Sequence, residues 1–324
     1  MLRYVVQRMV AMVPMLVGIS ILCFGVMHLA PGGPTQLMGD FDPRAKTTQS
    51  LAAEAGLEKP IYVQYALWMG NLLRGNMGTS LMPDGRPVAD KIADALPFTL
   101  WLNGVGLLLV LALGLPLGVV LAARAGGMAD ISATVLLYVG LAAPSVWLAL
   151  LGLQYFGVTL GWVPLSGLNS FGAERMGWWA RTADMAHHLA LPLAVGLVGS
   201  LASVVRFVRS SMLATMSEPY VLTARAKGAG AVRVWVAHGL RNAMLPVITL
   251  VGLSIPGLIG GSVIIESLFA LPGMGKLAFD ATMMRDYPTI MALLMFGAVL
   301  TLVGNVLADI AYAWADPRIR LSDT

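Results

Sequence analysis

The chain has 324 residues, of which 57% are hydrophobic and only 12% charged, with a net charge of +4. Soluble domains carry about 25% charged residues, so this composition excludes an ordinary soluble enzyme and places the chain in a bilayer. Its basic residues gather in the predicted inner loops and not in a stripe with interleaved aromatics, which argues against nucleic acid as a partner. The single cysteine, Cys23, lies in the first apolar tract and supports neither an intrachain disulfide nor a metal cluster.

Arg3 and Arg8 precede an apolar tract over residues 9–30, long enough for a hydrocarbon core that needs about 20 helical residues. The tract exceeds the roughly 7–15 residues of a signal-peptide core and no A-x-A site follows, so it reads as an uncleaved anchor. Residues 1–30 are thus the N-terminal end and first span, closed by Pro31, Gly32, Gly33 and Pro34. Residues 31–96 form a polar outer region of mixed charge, where the charge rule for short loops acts weakly. Within it, apolar residues recur at helical spacing from Ile61 to Leu73, the pattern of an amphipathic surface helix.

Further spans are predicted at 97–123, 131–157, 189–205, 246–266 and 289–312, making a core over 97–312 and a tail over 313–324. Six spans put both termini inside, and Arg124, the basic stretch 206–245, Arg318 and Arg320 all fall on that side. Trp162, Trp178, Trp179 and Tyr287 stand where an aromatic belt is expected. Pro116, Pro144 and Pro192 lie inside or near the start of spans and predict kinks. Gly257, Gly260 and Gly261 suit either close helix approach or the lining of a substrate path. Glu266, counted from Pro246 at about 1.5 Å per residue, falls roughly 30 Å away at the outer interface, where a helix end or gate fits better than a buried proton site. His187 and His188 are adjacent, a spacing poorly suited to chelation from a helix, and read as structural.

The basic stretch carries Arg206, Arg209, Arg225, Lys227, Arg233 and Arg241 against Glu218 alone. Ser217, Glu218 and Pro219 give a helix-start signal, with the Ser217 hydroxyl placed to take a free amide. A short helix is expected from Tyr220 to Gly228 or Gly230. Ala224 and Gly228, four apart, would share a face without bulk, edged by Thr223 and Lys227. Such a helix is either an ordinary surface helix or one that presses its backbone into a groove of a soluble partner.

This segment, YVLTARAKGAG followed by RNAMLP, resembles the EAA loop of ABC-importer permeases in the form typical of the dipeptide and oligopeptide branch. Its E-A-A-x-x-x-G pattern aligns with residues 222–228, with Leu222 and Thr223 replacing the acid and first alanine. The likeness continues through HLAPGGP, VQYALWMGNLLRGNMGTSL, APSVW, LGWVPLSG, the stretch from Glu266 through LPGMGKLAFDA to MRDYP, and GNVLADIAYAWADPRIR. It implies an all-α membrane protein of the type I ABC-importer permease fold, with six transmembrane helices and a large outer loop between spans 1 and 2. It further implies the first, B-type, permease of a homologous pair in a bacterial or archaeal plasma membrane, both termini cytoplasmic. The implied partners are a second permease subunit, an external substrate-binding protein and two cytoplasmic ATPase subunits that bind ATP and Mg. The chain itself would hold no cofactor, metal or catalytic residue. Coupling to the ATPases would fall to Tyr220, Thr223, Ala224, Arg225, Ala226, Lys227, Gly228, Leu245 and Pro246.

Gly273-Met274-Gly275-Lys276 lacks the spacing and the Ser or Thr of a Walker A loop, so the energy source is expected in a partner. Peptide is the expected cargo, with glutathione, nickel complexes and oligosaccharides as alternatives within the same branch. An ion-coupled secondary transporter is the alternative of another class. Such proteins place ionisable groups or broken helices near the midplane, where this chain has almost no charge. No HExxH, paired acids or Ser-base constellation marks an intramembrane enzyme.

Overall fold

The computed structural model describes residues 2–29, 59–240 and 260–315, with 243, 244, 247, 251, 252, 254, 257 and 258 between them. Residues 31–58 of the predicted outer region 31–96, Leu245, eight residues of the predicted span 246–266 including Pro246, and the tail beyond 315 lie outside these residues. The described chain is helical, apart from turns and one isolated antiparallel bridge between Thr79 and Pro87.

In chain order, α1 is Leu2–Leu29, α2 Ile61–Leu73 and α3 Val88–Ala123. α4 (Met128–Ala142) is followed by α5 (Ser145–Gly152), which passes into a π-helical stretch, Leu153–Thr159. α6 (Trp178–Met216) precedes α7 (Pro219–Ala226) and α8 (Ala231–Arg233), the last running on as a π-helical stretch, Val234–Leu240. α9 is Val263–Leu268, α10 Met274–Met283 and α11 Tyr287–Ala315. Gln7–Leu29, Val88–Ala123, Trp178–Met216 and Tyr287–Leu307 are each long and apolar enough to cross a membrane. A fifth span results if α4 and the segment Ser145–Thr159 count as one.

That last pair corrects the uninterrupted span expected at 131–157. The two helices meet at 100°. Pro144 is the cause: it holds Ala143 in extended backbone (φ −74°, ψ 129°), because the proline ring crowds the α conformation of the residue before it. Pro144 itself then stands at the N-cap of α5, and its carbonyl accepts from the Leu148 amide at 3.0 Å. The expected span at 246–266 is also interrupted, since Gly261 and Ser262 are non-helical and Gly261 takes φ 68°. A ruler laid along one helix from Pro246 therefore does not locate Glu266, whose side chain is fully buried within the protein.

The chain folds as two compact units, one formed by residues 1–99, 259–263 and 272–306, the other by 100–258, 264–271 and 307–324. In the first, the helix expected at Ile61–Leu73 forms and docks on α1. Tyr65 meets Ser20 at 2.8 Å, Gln64 meets His28 at 2.9 Å, and Phe24 stacks among His28, Tyr65 and Trp68. An apolar core joins Val88, Ile92 and Ala95 of α3 to Met274 of α10 and Ala292 of α11. The Met274 amide donates to the buried Thr99 hydroxyl at 2.8 Å, satisfying an orphan donor of the first turn of α10.

Beside this core lies a buried polar clasp. Asp286 precedes α11 and accepts from the Ser80 hydroxyl (2.5 Å), the Leu81 amide (3.0 Å) and the Thr289 hydroxyl (2.6 Å). Ser80 in turn accepts from Lys91 Nζ at 2.8 Å and the Met82 amide at 3.2 Å, which uses the donor and both acceptor sites of a hydroxyl. Lys91 also pairs with Asp84 at 2.7 Å. Burial works to raise the Asp84 carboxyl, but the hydrogen bond and charge of Lys91 outweigh it and hold the group below its ordinary range.

In the second unit, α3 and α6 share a core of Val110, Ala122, Val204, Val208 and Met212, against which Ala243 and Val247 pack. α4 lies antiparallel on α6: Asp130 faces Arg209, and Gly140 faces Val198 so closely that an added Cβ would sit 2.6 Å from a valine methyl.

Candidate coupling surface

The predicted basic loop is largely helix. α6 runs without a break through Arg206 and Arg209 to Met216, so these two arginines belong to a long helix and not to a connection. Arg209 is fixed by a two-pronged ion pair, Nε to Asp130 Oδ1 and the second guanidinium nitrogen to Oδ2, each 2.7 Å. Asp130 also accepts from the Gly126 amide at 2.9 Å, so one buried carboxylate ties the turn before α4 to α6. Bidentate geometry of this kind is the strong form of a charged hydrogen bond. Sequence reasoning missed Asp130; an acid at the start of an apolar tract was the available signal.

α7 then turns off the end of α6. Ser217 does not cap it: its hydroxyl bonds back to the Leu213 carbonyl at 3.1 Å, and Glu218 takes the N-cap position with extended backbone. Pro219 occupies the first helical position, where its missing amide costs nothing. The helix stops after Ala226 by a double return bond, Gly228 amide to Arg225 carbonyl (2.9 Å) and Ala229 amide to Ala224 carbonyl (3.1 Å). Gly228 stands at φ 81°, the left-handed conformation that this ending requires and that glycine adopts without steric cost.

Gly228 therefore lies past the helix and shares no face with Ala224, which is itself half-buried. The small-residue face expected from the spacing is not formed. Val221 is the anchor, fully buried against Met216 and Val234, with Ala229 and Trp235 packed around them. The outward side carries Tyr220 and Leu222, 42% and 54% exposed, together with exposed Thr223, Arg225, Ala226 and Lys227. Thr223 turns its hydroxyl back to the Pro219 carbonyl at 2.9 Å. Next to α7, Val232 and Val236 border a shallow depression lined also by Gly230, Arg233 and Ala237. The surface is thus an apolar ledge with a cationic rim, held rigidly from below.

Of the other predicted positions, Gly257 and Gly260 are helical and exposed, and no described atom lies within 4 Å of a Cβ built on either. Gly261 forms the turn before α9. His187 bonds the Trp162 carbonyl at 2.6 Å and His188 the Asp184 carbonyl at 2.9 Å, so both serve structure.

The sequence matches the family of binding-protein-dependent transport system inner membrane components over residues 114–321, and the N-terminal model of the same membrane components over residues 1–103. The chain belongs to this permease family. It is 43% identical over 319 residues to the oligopeptide transport system permease protein AppB of Bacillus subtilis, covering 98% of this chain and 99% of that protein. A putative peptide permease protein of Brucella ovis is 41% identical over 327 residues, covering 99% and 100%. The glutathione transport system permease protein GsiC of Salmonella paratyphi A is 35% identical over 321 residues, covering 99% of each. As a transport permease it lies in a membrane through several apolar helices, and its family works with binding proteins and ATPases.

Proposed function

We propose that this permease is the first, B-type, half of a heterodimeric pathway in an ATP-driven peptide importer of a bacterial or archaeal plasma membrane. The full-length likeness to the Bacillus subtilis oligopeptide permease carries the cargo assignment. In this reading the chain has six spans, both termini in the cytoplasm and a large outer loop after the first span. It binds no cofactor and catalyses nothing; ATP and Mg are bound by two ATPase subunits, and an external binding protein delivers the peptide.

α7 is the docking helix in this reading. Tyr220, Leu222, Thr223, Arg225, Ala226 and Lys227 present the contact, while Ala224 and Gly228 shape its underside and its end. Leu245 and Pro246, outside the described residues, are assigned to the same coupling contact by the family likeness alone. When the ATPases close, the push enters at Leu222, passes through buried Val221 to Met216 at the end of α6, and reaches α4 through Asp130 and Arg209. Packed elements of this kind shift as rigid bodies, which turns a local displacement into a helix movement. Gly257, Gly260 and Gly261 are assigned to the substrate path, where open space beside Gly257 and Gly260 suits passage better than close packing.

The test is reconstitution with the cognate ATPases and binding protein. Uptake of peptide must require ATP and fail with Leu222→Arg, with the chain still inserted and folded. A glutathione importer is a second reading, favoured by the 35% identity to a glutathione permease and separated by which ligand the binding protein carries. An ion-coupled transporter gains something from the break at Gly261 and the buried Glu266 beyond it. The break at Pro144 offers it nothing, since no charged residue stands between Asp130 and Glu174. Proton-driven uptake by this chain alone would decide for that alternative.

A further inference from the structure

Between α4 and α6 runs a narrow groove of about 70 Å³, whose walls include Thr134, Leu137, Tyr138 and Leu141 on one helix and Arg206 and Arg209 on the other. On each helix these residues recur at three- and four-residue steps, so the groove follows a single face of both. Its polarity is graded. The antiparallel pairing puts Asp130, Arg209, Thr134 and Arg206 at one end and Leu137 and Leu141 toward the other.

The two arginines differ in one decisive respect. Arg209 is neutralised by Asp130, whereas Arg206 is exposed and has no hydrogen bond or ion pair among the described residues. An arginine within a spanning helix costs about 2.5–3.5 kcal/mol at mid-membrane, unless it reaches headgroups or meets an anion. Arg206 stands ten residues before the end of α6 at Met216, about 15 Å along the axis. It is one turn deeper than the Asp130–Arg209 pair, within reach of the headgroup layer. At its apolar end the groove is open, with Leu141 42% exposed. A cation and a hydroxyl at one end, an apolar track at the other, and bilayer as the surrounding solvent together match one kind of ligand.

We propose that this groove holds an anionic phospholipid, its phosphate taken by Arg206 and the Thr134 hydroxyl and its acyl chain laid along the groove past Leu137 and Leu141. Basic clefts between spanning helices at headgroup level recognise lipids in this way. The site rests on α4 and α6 lying in the membrane and is independent of which cargo the permease carries.

Native mass spectrometry of the full-length purified chain, titrated with phosphatidylglycerol, phosphatidylcholine or inorganic phosphate, tests it. Phosphatidylglycerol should be retained in preference to phosphatidylcholine, and Arg206→Gln should cut that preference about five-fold, the worth of one arginine at a membrane surface. Arg206→Lys should keep most of the preference. If Arg206→Gln does not fold, Thr134→Val replaces it, with a fall of at least about two-fold expected from one lost hydrogen bond. Equal retention of the two lipids, an undiminished preference in the folded variant, or inorganic phosphate binding as well as the lipid would each overturn the site. Peptide transport that survives such a result would leave the transport reading intact.

Discussion

Ser80 donates its hydroxyl to the carboxylate of Asp286 at 2.5 Å, across 206 residues of chain, and both side chains are completely buried. The contact joins two stretches that resemble the permease branch separately, GNMGTSL and MRDYP, and gives both a common physical purpose. Asp286 is the anchor because four donors converge on it, one of them the Thr289 amide at 3.5 Å in the first turn of α11. Asp286→Ala would strand Ser80, Leu81 and Thr289 without their acceptor. We expect a loss of about 3 kcal/mol, read as a lowered unfolding midpoint in detergent. Ser80→Ala should cost less, because Asp286 keeps its other donors. A wild-type midpoint for Asp286→Ala would show that the clasp contributes nothing to the fold.

The same clasp gives a pH dependence through Asp84. Its pKa in the folded chain lies below the ordinary value of 3.8, held there by Lys91 against the opposing effect of burial. A depressed carboxyl stabilises the fold above its unfolded value and loses that contribution as pH falls through the folded value. Stability of the 76–91 segment should therefore be flat from pH 7 to about 5 and decline below about 4. Asp84 is partly exposed, so the amplitude is small. Limited proteolysis across this pH range checks it, and Asp84→Asn should remove that part of the decline.

How far the sequence reached can be judged from α2 and α4. The Ile61–Leu73 helix follows from apolar spacing alone and forms over those residues, because periodicity is a local property. Its docking on α1 through Tyr65 and Ser20 was not legible, since a tertiary contact leaves no trace in spacing. Apolar length alone gave one span over 131–157, yet Pro144 divides it, because hydropathy counts residues without regard to backbone geometry. At α7 the helix and its glycine stop were legible, and the exposed face was not. Val221 decides that face by entering the core under Met216, and the partners it meets there lie on other elements.

Val221 and Leu222 are neighbours with opposite surroundings, and substituting each separates fold from docking. Val221→Asp places a charge in the cluster with Met216 and Val234, where burial of the valine is worth about 1.5–3 kcal/mol. It should loosen α7 and raise hydrogen exchange over 216–234. Leu222→Arg changes only the exposed ledge, so exchange should stay as in the wild type while binding of the ATPase subunit weakens. Gly228→Leu has open space around its side chain but forces φ 81° on a residue with a Cβ, at roughly 1–2 kcal/mol. Its effect on coupling should come through fraying of the α7 end and not through a filled groove. If Leu222→Arg binds the ATPase normally while Gly228→Leu does not, the contact lies at the helix end and the ledge is idle.

α9 and α10 end by the same double return bond as α7, yet neither has glycine at the left-handed position. Ala270 (φ 52°) follows α9, with the Leu271 amide returning to the Glu266 carbonyl at 2.8 Å. Arg285 (φ 51°) follows α10, with the Asp286 amide returning to Ala281 at 2.9 Å. A residue with a Cβ pays steric strain there, while glycine would lose more backbone freedom on folding. The balance favours Ala270→Gly by about 0.5–1 kcal/mol, because Ala270 is exposed and its methyl group adds little packing. Thermal unfolding of the purified permease should show a midpoint raised by a few degrees. Transport measured beside it tells what the strain is for: unchanged uptake makes Ala270 a neutral occupant, whereas reduced uptake in the more stable variant ties the strained turn between buried Glu266 and α10 to the transport movement.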